Sequence, residues 1–204
     1  IRANADAILG KATARRYENS LPFLMKVLAA DQPLSVQAHP DKEQAQQGYA
    51  REEAAGIDIT AAHRNYRDPN HKPECLYALT PFVGLCGFRS IREMQSIMDG
   101  VWPVQYRAIQ NHLADAGIKA FFKALFQLSQ TDRETLVRIC LKEATHNASA
   151  HPAYDWMGRL NHAFPLDIGV LAPLYLNIVD LNPGEAIYLP ARQMHAYLTG
   201  MGIE

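Results

Sequence analysis

Apolar residues change their spacing twice along this 204-residue chain, and that change constrains the fold more than any other feature. Residues 21–38, LPFLMKVLAADQPLSVQA, hold two apolar runs split by a turn at ADQP, which predicts two strands. Asp41 is placed to cap a helix over KEQAQQGYAREEAAG that ends near Gly56, and residues 57–73 read as irregular. ECLYALTPFVGLCGFR is strand-like to about Phe88. From Ser90 the spacing becomes helical, with Phe121, Leu125 and Leu128, then Leu136, Ile139 and Cys140. SIRE (Ser90 to Glu93) and TDRE (Thr131 to Glu134) read as capping boxes. From Asp167 strands are predicted again, in GVLAPLYLNIVDL, AIYLP and MHAYLTG. Strands, helices, strands predicts a mixed α and β fold, a β-sandwich or barrel interrupted by an all-helical module. The expected division is a discontinuous β domain over 1–89 and 164–204, with residues 90–163 as the insertion.

A net charge of −1 gives no basic excess for nucleic acid or an anionic membrane. No apolar run reaches the roughly 18 residues of a membrane span. Cys75, Cys86 and Cys140 form no C-x-x-C pair and read as free thiols, which points to a reducing cytoplasm. The chain has no initiator Met and no signal peptide, and it stops after a strand-like run. That predicts a fragment lacking both ends.

SVQAHPDK places Gln37 and His39 two apart in a predicted strand, so both side chains point to one face. The strand alone leaves two readings open, a metal site or a hydrogen-bonded pair. His195 lies in GEAIYLPARQMHAYL, where a turn, a strand and a Pro-led loop aim the imidazole inward. This resembles the second sequence motif of the cupin family, with Gly184, Pro190 and His195 in register and Arg192 where the motif has glycine. Glu74, in HKPE, opens a strand just after a proline. Two imidazoles, a carboxylate and an amide oxygen make a donor set suited to Zn²⁺.

The blocks LPFLMKVLAADQPLSVQAHPDK, DPNHKPECLYALTPF and LNPGEAIYLPARQMHAYLTG together resemble the type I mannose-6-phosphate isomerase (phosphomannose isomerase) family. The resemblance implies a cupin-type β-sandwich or barrel and one Zn²⁺ per chain on Gln37, His39, Glu74 and His195. It implies interconversion of mannose 6-phosphate and fructose 6-phosphate through a cis-enediol. It also implies a further C-terminal cupin-like domain and an active-site arginine beyond Glu204, so the 204 residues alone are expected to isomerise poorly. Lys72 and His71, beside Glu74, are the candidates for ring opening and proton transfer. Lys26 and Ser35 are candidates for the sugar or its phosphate, and Glu204 is a weaker candidate base. The expected partner is a small-molecule sugar phosphate, with neither nucleic acid nor membrane, and no oligomeric state is indicated. The alternative is a metal- and sugar-binding cupin without isomerase activity. A redox cupin such as a dioxygenase fits less well, because that class reads as His-rich in its first motif. His63, His112, His146, His151 and His162 lack ligand spacing and are read as structural.

Overall fold

The computed structural model describes residues 1–21 and 23–204. Pro22, within the first predicted strand, lies outside the described residues. Two short helices, α1 (Ala5–Leu9) and α2 (Lys11–Arg16), precede β1 (Val27–Ala30). Then come α3 (Lys42–Ala54), β2 (Glu74–Ala78) and β3 (Phe82–Phe88). Helices follow: α4 (Ile91–Asp99), α5 (Arg107–Asp115), α6 (Gly117–Gln127), α7 (Gln130–His146), α8 (Pro152–Ala163) and α9 (Ala172–Tyr175). The chain closes with β4 (Leu176–Leu181), β5 (Ala186–Leu189) and β6 (His195–Ile203).

The strands form one curled antiparallel sheet, ordered β4-β3-β6-β2-β5, with β1 also on β6. The longest strand, β6, organises it by changing partners along its length. Residues 195–199 pair with β3, and residues 202–203 pair with β2. The change falls at Gly200, whose φ is 116°. A Cβ there would lie 2.6 Å from the carbonyl oxygen of Pro81. Only glycine fits both the backbone angle and the contact, so this residue makes the bend that curls the sheet.

Alternation then assigns the two faces. On β2, Glu74, Leu76 and Ala78 are buried and Cys75 and Tyr77 are exposed. Leu76, Ala78, Phe82, Leu189 and Tyr197 make an apolar cluster on the concave face. Leu85, Leu176, Ala196 and Leu198 point the other way and join the helical core around Met94, Met98, Phe121 and Leu125. Each leucine buried this way contributes about 1.5–3 kcal/mol, which fastens the helices to the convex face and leaves the concave face for chemistry.

Several helix signals behave as predicted. Asp41 caps α3 and Ser90 caps α4, each in a full capping box. The TDRE box does not form. Helix α7 starts earlier, at Gln130, because Ser129 accepts a hydrogen bond from the Asp132 amide at 3.1 Å. GVLAPLY is helical rather than a strand. Residues Ile168–Leu171 form a 3₁₀ turn that runs into α9, so the strand begins only at Leu176. Residues 170–176 are buried on every side and carry no period to read. Pro173, in the first turn of α9, cannot donate within a strand ladder but is tolerated there. The predicted strand over 34–38 shrinks to an isolated bridge between Gln37 and His195.

Candidate metal centre

Three segments far apart in sequence bring their polar side chains to the concave face. Glu74 stands at the start of β2, and His195 at the start of β6. The segment before α3 joins β6 through two backbone hydrogen bonds of 2.9 Å between Gln37 and His195. Directly opposed residues send their side chains to the same face, so Gln37 and His195 share one. The backbone amide of Arg192 donates to the His39 carbonyl at 2.7 Å and fixes the next step of that segment.

His39 Nε2 lies 3.0 Å from Glu74 Oε1, and His195 Nε2 lies 3.2 Å from Glu74 Oε2. His39, Glu74 and His195 are, among the described residues, the one group of ligating side chains within 4.8 Å of one another. His195 Nε2 is fully buried and no hydrogen bond satisfies it, while the buried Glu74 Oε1 meets the Lys72 ammonium. Such an orphaned atom is costly unless a ligand meets it. His195 Nδ1 sits 2.9 Å from the Gln193 carbonyl oxygen, which only accepts. The proton therefore belongs on Nδ1, and the Nε2 lone pair faces the carboxylate. Two acceptors opposed in this way are suited to a cation between them. Ligands bound at about 2.0 Å around a tetrahedral ion stand roughly 3.3 Å apart, close to the separations here.

The electrostatics agree. Burial and the Lys72 charge push His39 below its ordinary value, with the Glu74 charge opposing, so the imidazole is held in its neutral, metal-binding form. Burial works against ionising Glu74. Hydrogen bonds from Lys72 and Tyr197, with the charge of Lys72, outweigh it and hold the carboxyl well below the usual range. Lys72 Nζ is 2.7 Å from Glu74 Oε1 and 3.4 Å from His39 Nε2. The Tyr197 hydroxyl donates to Glu74 Oε2 at 2.9 Å. Tyr197 was not among the sequence candidates. Its signal was its position two residues after His195, which turns it to the same face.

His71 and Lys72 line a cleft with Glu74, Glu204, Arg16 and Tyr17. Lys26 pairs with Glu204 at 3.2 Å, and two backbone hydrogen bonds join the same residues. Ser35 lines a different cleft, with Phe122, Phe126 and Met194, against the helices. Arg192 has φ 71° and is 3.5 Å from Asp41, putting its charge on the rim of a third cleft beside His39.

A curled antiparallel sheet with two histidines and a carboxylate converging on its concave face is cupin architecture. Residues 1–91 match the family model described as phosphomannose isomerase type I, catalytic domain. Over 207 residues the chain is 40% identical to mannose-6-phosphate isomerase of Escherichia coli (strain K12), covering 100% of this chain and 52% of that protein. Against the Homo sapiens mannose-6-phosphate isomerase it is 33% identical over 222 residues, covering 100% and 50%. A crystal structure of mannose 6-phosphate isomerase from Salmonella typhimurium, bound to fructose 6-phosphate and zinc, superposes with TM-score 0.83 at 37% identity, covering 100% of this chain and 52% of that one. The chain belongs to the type I phosphomannose isomerase family, and it spans about half the length of the curated relatives it matches.

Proposed function

We propose that this chain builds the zinc centre of an aldose–ketose isomerase that interconverts mannose 6-phosphate and fructose 6-phosphate through a cis-enediol. The observation that carries the reading is the convergence of His39, Glu74 and His195, with the buried His195 Nε2 left unsatisfied and Lys72 at the edge of the group. Gln37, directly across from His195, supplies the fourth donor, and one Zn²⁺ binds per chain. Bound zinc supplies Lewis-acid stabilisation of the negative charge that develops on the sugar oxygens, worth several kcal/mol.

The chain's own residues do the rest. Tyr197 and Lys72 orient the Glu74 carboxylate through its two oxygens. Lys72, at the edge of the centre, is the first candidate for proton transfer during ring opening and between carbons 1 and 2. His71 faces the same cleft and is the second candidate for that step. Lys26, with Glu204 as its partner, is the candidate cation for the substrate, whereas Ser35 lines the separate cleft against the helices and not the one that holds Lys72 and Glu74. Relatives of this family turn over or bind these sugar phosphates, by their names and by the fructose 6-phosphate complex, which is what supports the substrate assignment.

The test is conversion of mannose 6-phosphate to fructose 6-phosphate by the zinc-loaded full-length parent polypeptide, since the 204 residues alone are expected to isomerise poorly. The reading expects zinc-dependent product. It expects Lys72→Ala to keep its zinc and lose turnover by about 10²–10⁴-fold, the usual contribution of a general acid–base group. Binding of zinc and sugar phosphate without product would favour the non-catalytic cupin instead.

A further inference from the structure

The irregular segment 57–73, which carries His71 and Lys72, has no regular hydrogen-bonding pattern of its own to hold it. Its order comes from α3. Glu52, on α3, is 5% exposed, and a buried carboxylate needs partners. It accepts hydrogen bonds from the backbone amides of Asn65 at 3.2 Å and Tyr66 at 2.8 Å. Arg64 is buried too, its guanidinium 5.1 Å above the Tyr49 ring of α3. Its Nε donates to the Tyr66 carbonyl at 2.8 Å and its Nη1 to the Ile57 carbonyl. Glu52 and Glu53 balance its charge, Glu53 at 2.6 Å. The Tyr66 ring lies on α3 at Gly48, where a Cβ would come within 2.5 Å of the ring. Nearer the site, Lys42 on α3 donates to Asn70 at 2.8 Å, two residues before Lys72. The same helix begins at Asp41, two residues after His39. One helix thus sets both His39 and the approach to Lys72.

We propose that Glu52 and Arg64 are positioning residues: they lay segment 57–73 along α3 so that Lys72 meets Glu74 and His39. Neither lines the cleft that holds Lys72, so they act through the loop. A buried ion pair is a poor source of net stability, and replacing one partner leaves the other uncompensated. What this pair supplies is one fixed path for an otherwise irregular loop. The catalytic consequence rests on the isomerase reading above; the placement of Lys72 does not.

Two readouts separate the claims. The first is the acylation rate of each lysine with an amine-reactive reagent, measured by peptide mass spectrometry on the zinc-loaded protein. Glu52→Gln keeps the side-chain volume but turns an amide NH₂ toward backbone donors. Arg64→Met removes the fork. Either substitution is expected to raise Lys72 acylation roughly tenfold or more, the factor that follows from losing a charge-assisted hydrogen bond. Lys119, on α6, serves as the fold control and is expected to stay unchanged. Unchanged Lys72 acylation, with Lys119 also unchanged, overturns the proposal. A rise at both sites means that the variant has loosened generally, and it also counts against a positioning role. The second readout is turnover of mannose 6-phosphate in a double-mutant cycle. Glu52→Gln is expected to cost on the order of 10²-fold in the wild-type background and almost nothing once Lys72 is alanine. Equal losses in both backgrounds would show a role that does not pass through Lys72. If the full-length wild-type polypeptide makes no fructose 6-phosphate, the isomerase reading fails, and the acylation rates still decide where Lys72 is held.

Discussion

At the scale of single residues, the centre depends on groups that orient ligands as much as on the ligands. Tyr197 is the clearest case. Its hydroxyl holds Glu74 Oε2 at 2.9 Å, in a site where Glu74 is 6% exposed. Removing that donor lets the carboxylate turn and raises its proton affinity. Tyr197→Phe is therefore expected to bind zinc with the same stoichiometry at saturation but with roughly 10–100-fold weaker affinity, the usual cost of losing an outer-shell partner. Competition with a chelator of known affinity measures this, and an unchanged affinity would remove Tyr197 from the centre. His39, Glu74 and His195 were legible as candidates: i and i+2 spacing turned His39 to the face of Gln37, while His195 and Glu74 stood out through the resemblance of their hairpin and of HKPE to family motifs. Tyr197 was less legible because tyrosine on a strand is most often core, and it does pack with Leu76, Phe82 and Leu189. Its polar end matters only because Glu74 arrives from 123 positions away in the chain.

At the scale of elements, the hairpin leading into β6 carries a cost that the cupin motif normally avoids. The motif's second glycine is Arg192, at φ 71°. A non-glycine residue in the left-handed region costs roughly 1–2 kcal/mol. The Asp41 pair at 3.5 Å, with the Arg192 side chain 68% exposed, returns at most about 1 kcal/mol. The first effect is the larger, and the backbone amide bond to His39 does not need the side chain. Arg192→Gly is therefore expected to raise the melting temperature by a few degrees and leave zinc stoichiometry unchanged. A lower melting temperature would show that the Asp41 contact or the rim charge outweighs the backbone strain. Elements were legible where one face was wet. Strand β2 and helix α4 fall in this class, since their buried residues recur at a readable period. The run before β4 was not, because Val170 to Leu176 is buried all round. The start of α7 was misplaced because Ser129 and Thr131 both offer cap hydroxyls two residues apart, and the Ser129–Asp132 contact formed. Residues 34–38 lack a second partner over most of their length, so an extended pattern became a single bridge.

At the scale of the whole molecule, the sheet curls so that residues 37–39, the start of β2 and the start of β6 meet at one point. Among the described residues no helix is long and apolar enough to cross a membrane. Helices α4 to α9 cover the face opposite the site, and none of their histidines joins the ligating group; His151, for instance, caps α8 by accepting from the Ala153 amide at 3.0 Å. The strands-helices-strands order was visible from spacing alone, whereas the curl was not, since it depends on one glycine and a partner change within β6. Because the proposed centre draws its ligands from three distant segments, metal removal is expected to act on the fold. With free zinc at 100 times its dissociation constant, binding adds about 2.7 kcal/mol. For a chain of this size that corresponds to roughly 5–10 °C, so chelation is expected to lower the melting temperature by that amount, and readdition to restore it. The central claim is that His39 and His195 hold one zinc together with Glu74 and Gln37. Zinc content, measured by atomic emission on purified protein and on the His39→Ala and His195→Ala variants, tests it most directly. The account predicts one zinc per chain in the wild-type protein and a large loss in each variant that still folds. One zinc per chain retained in either variant would contradict it.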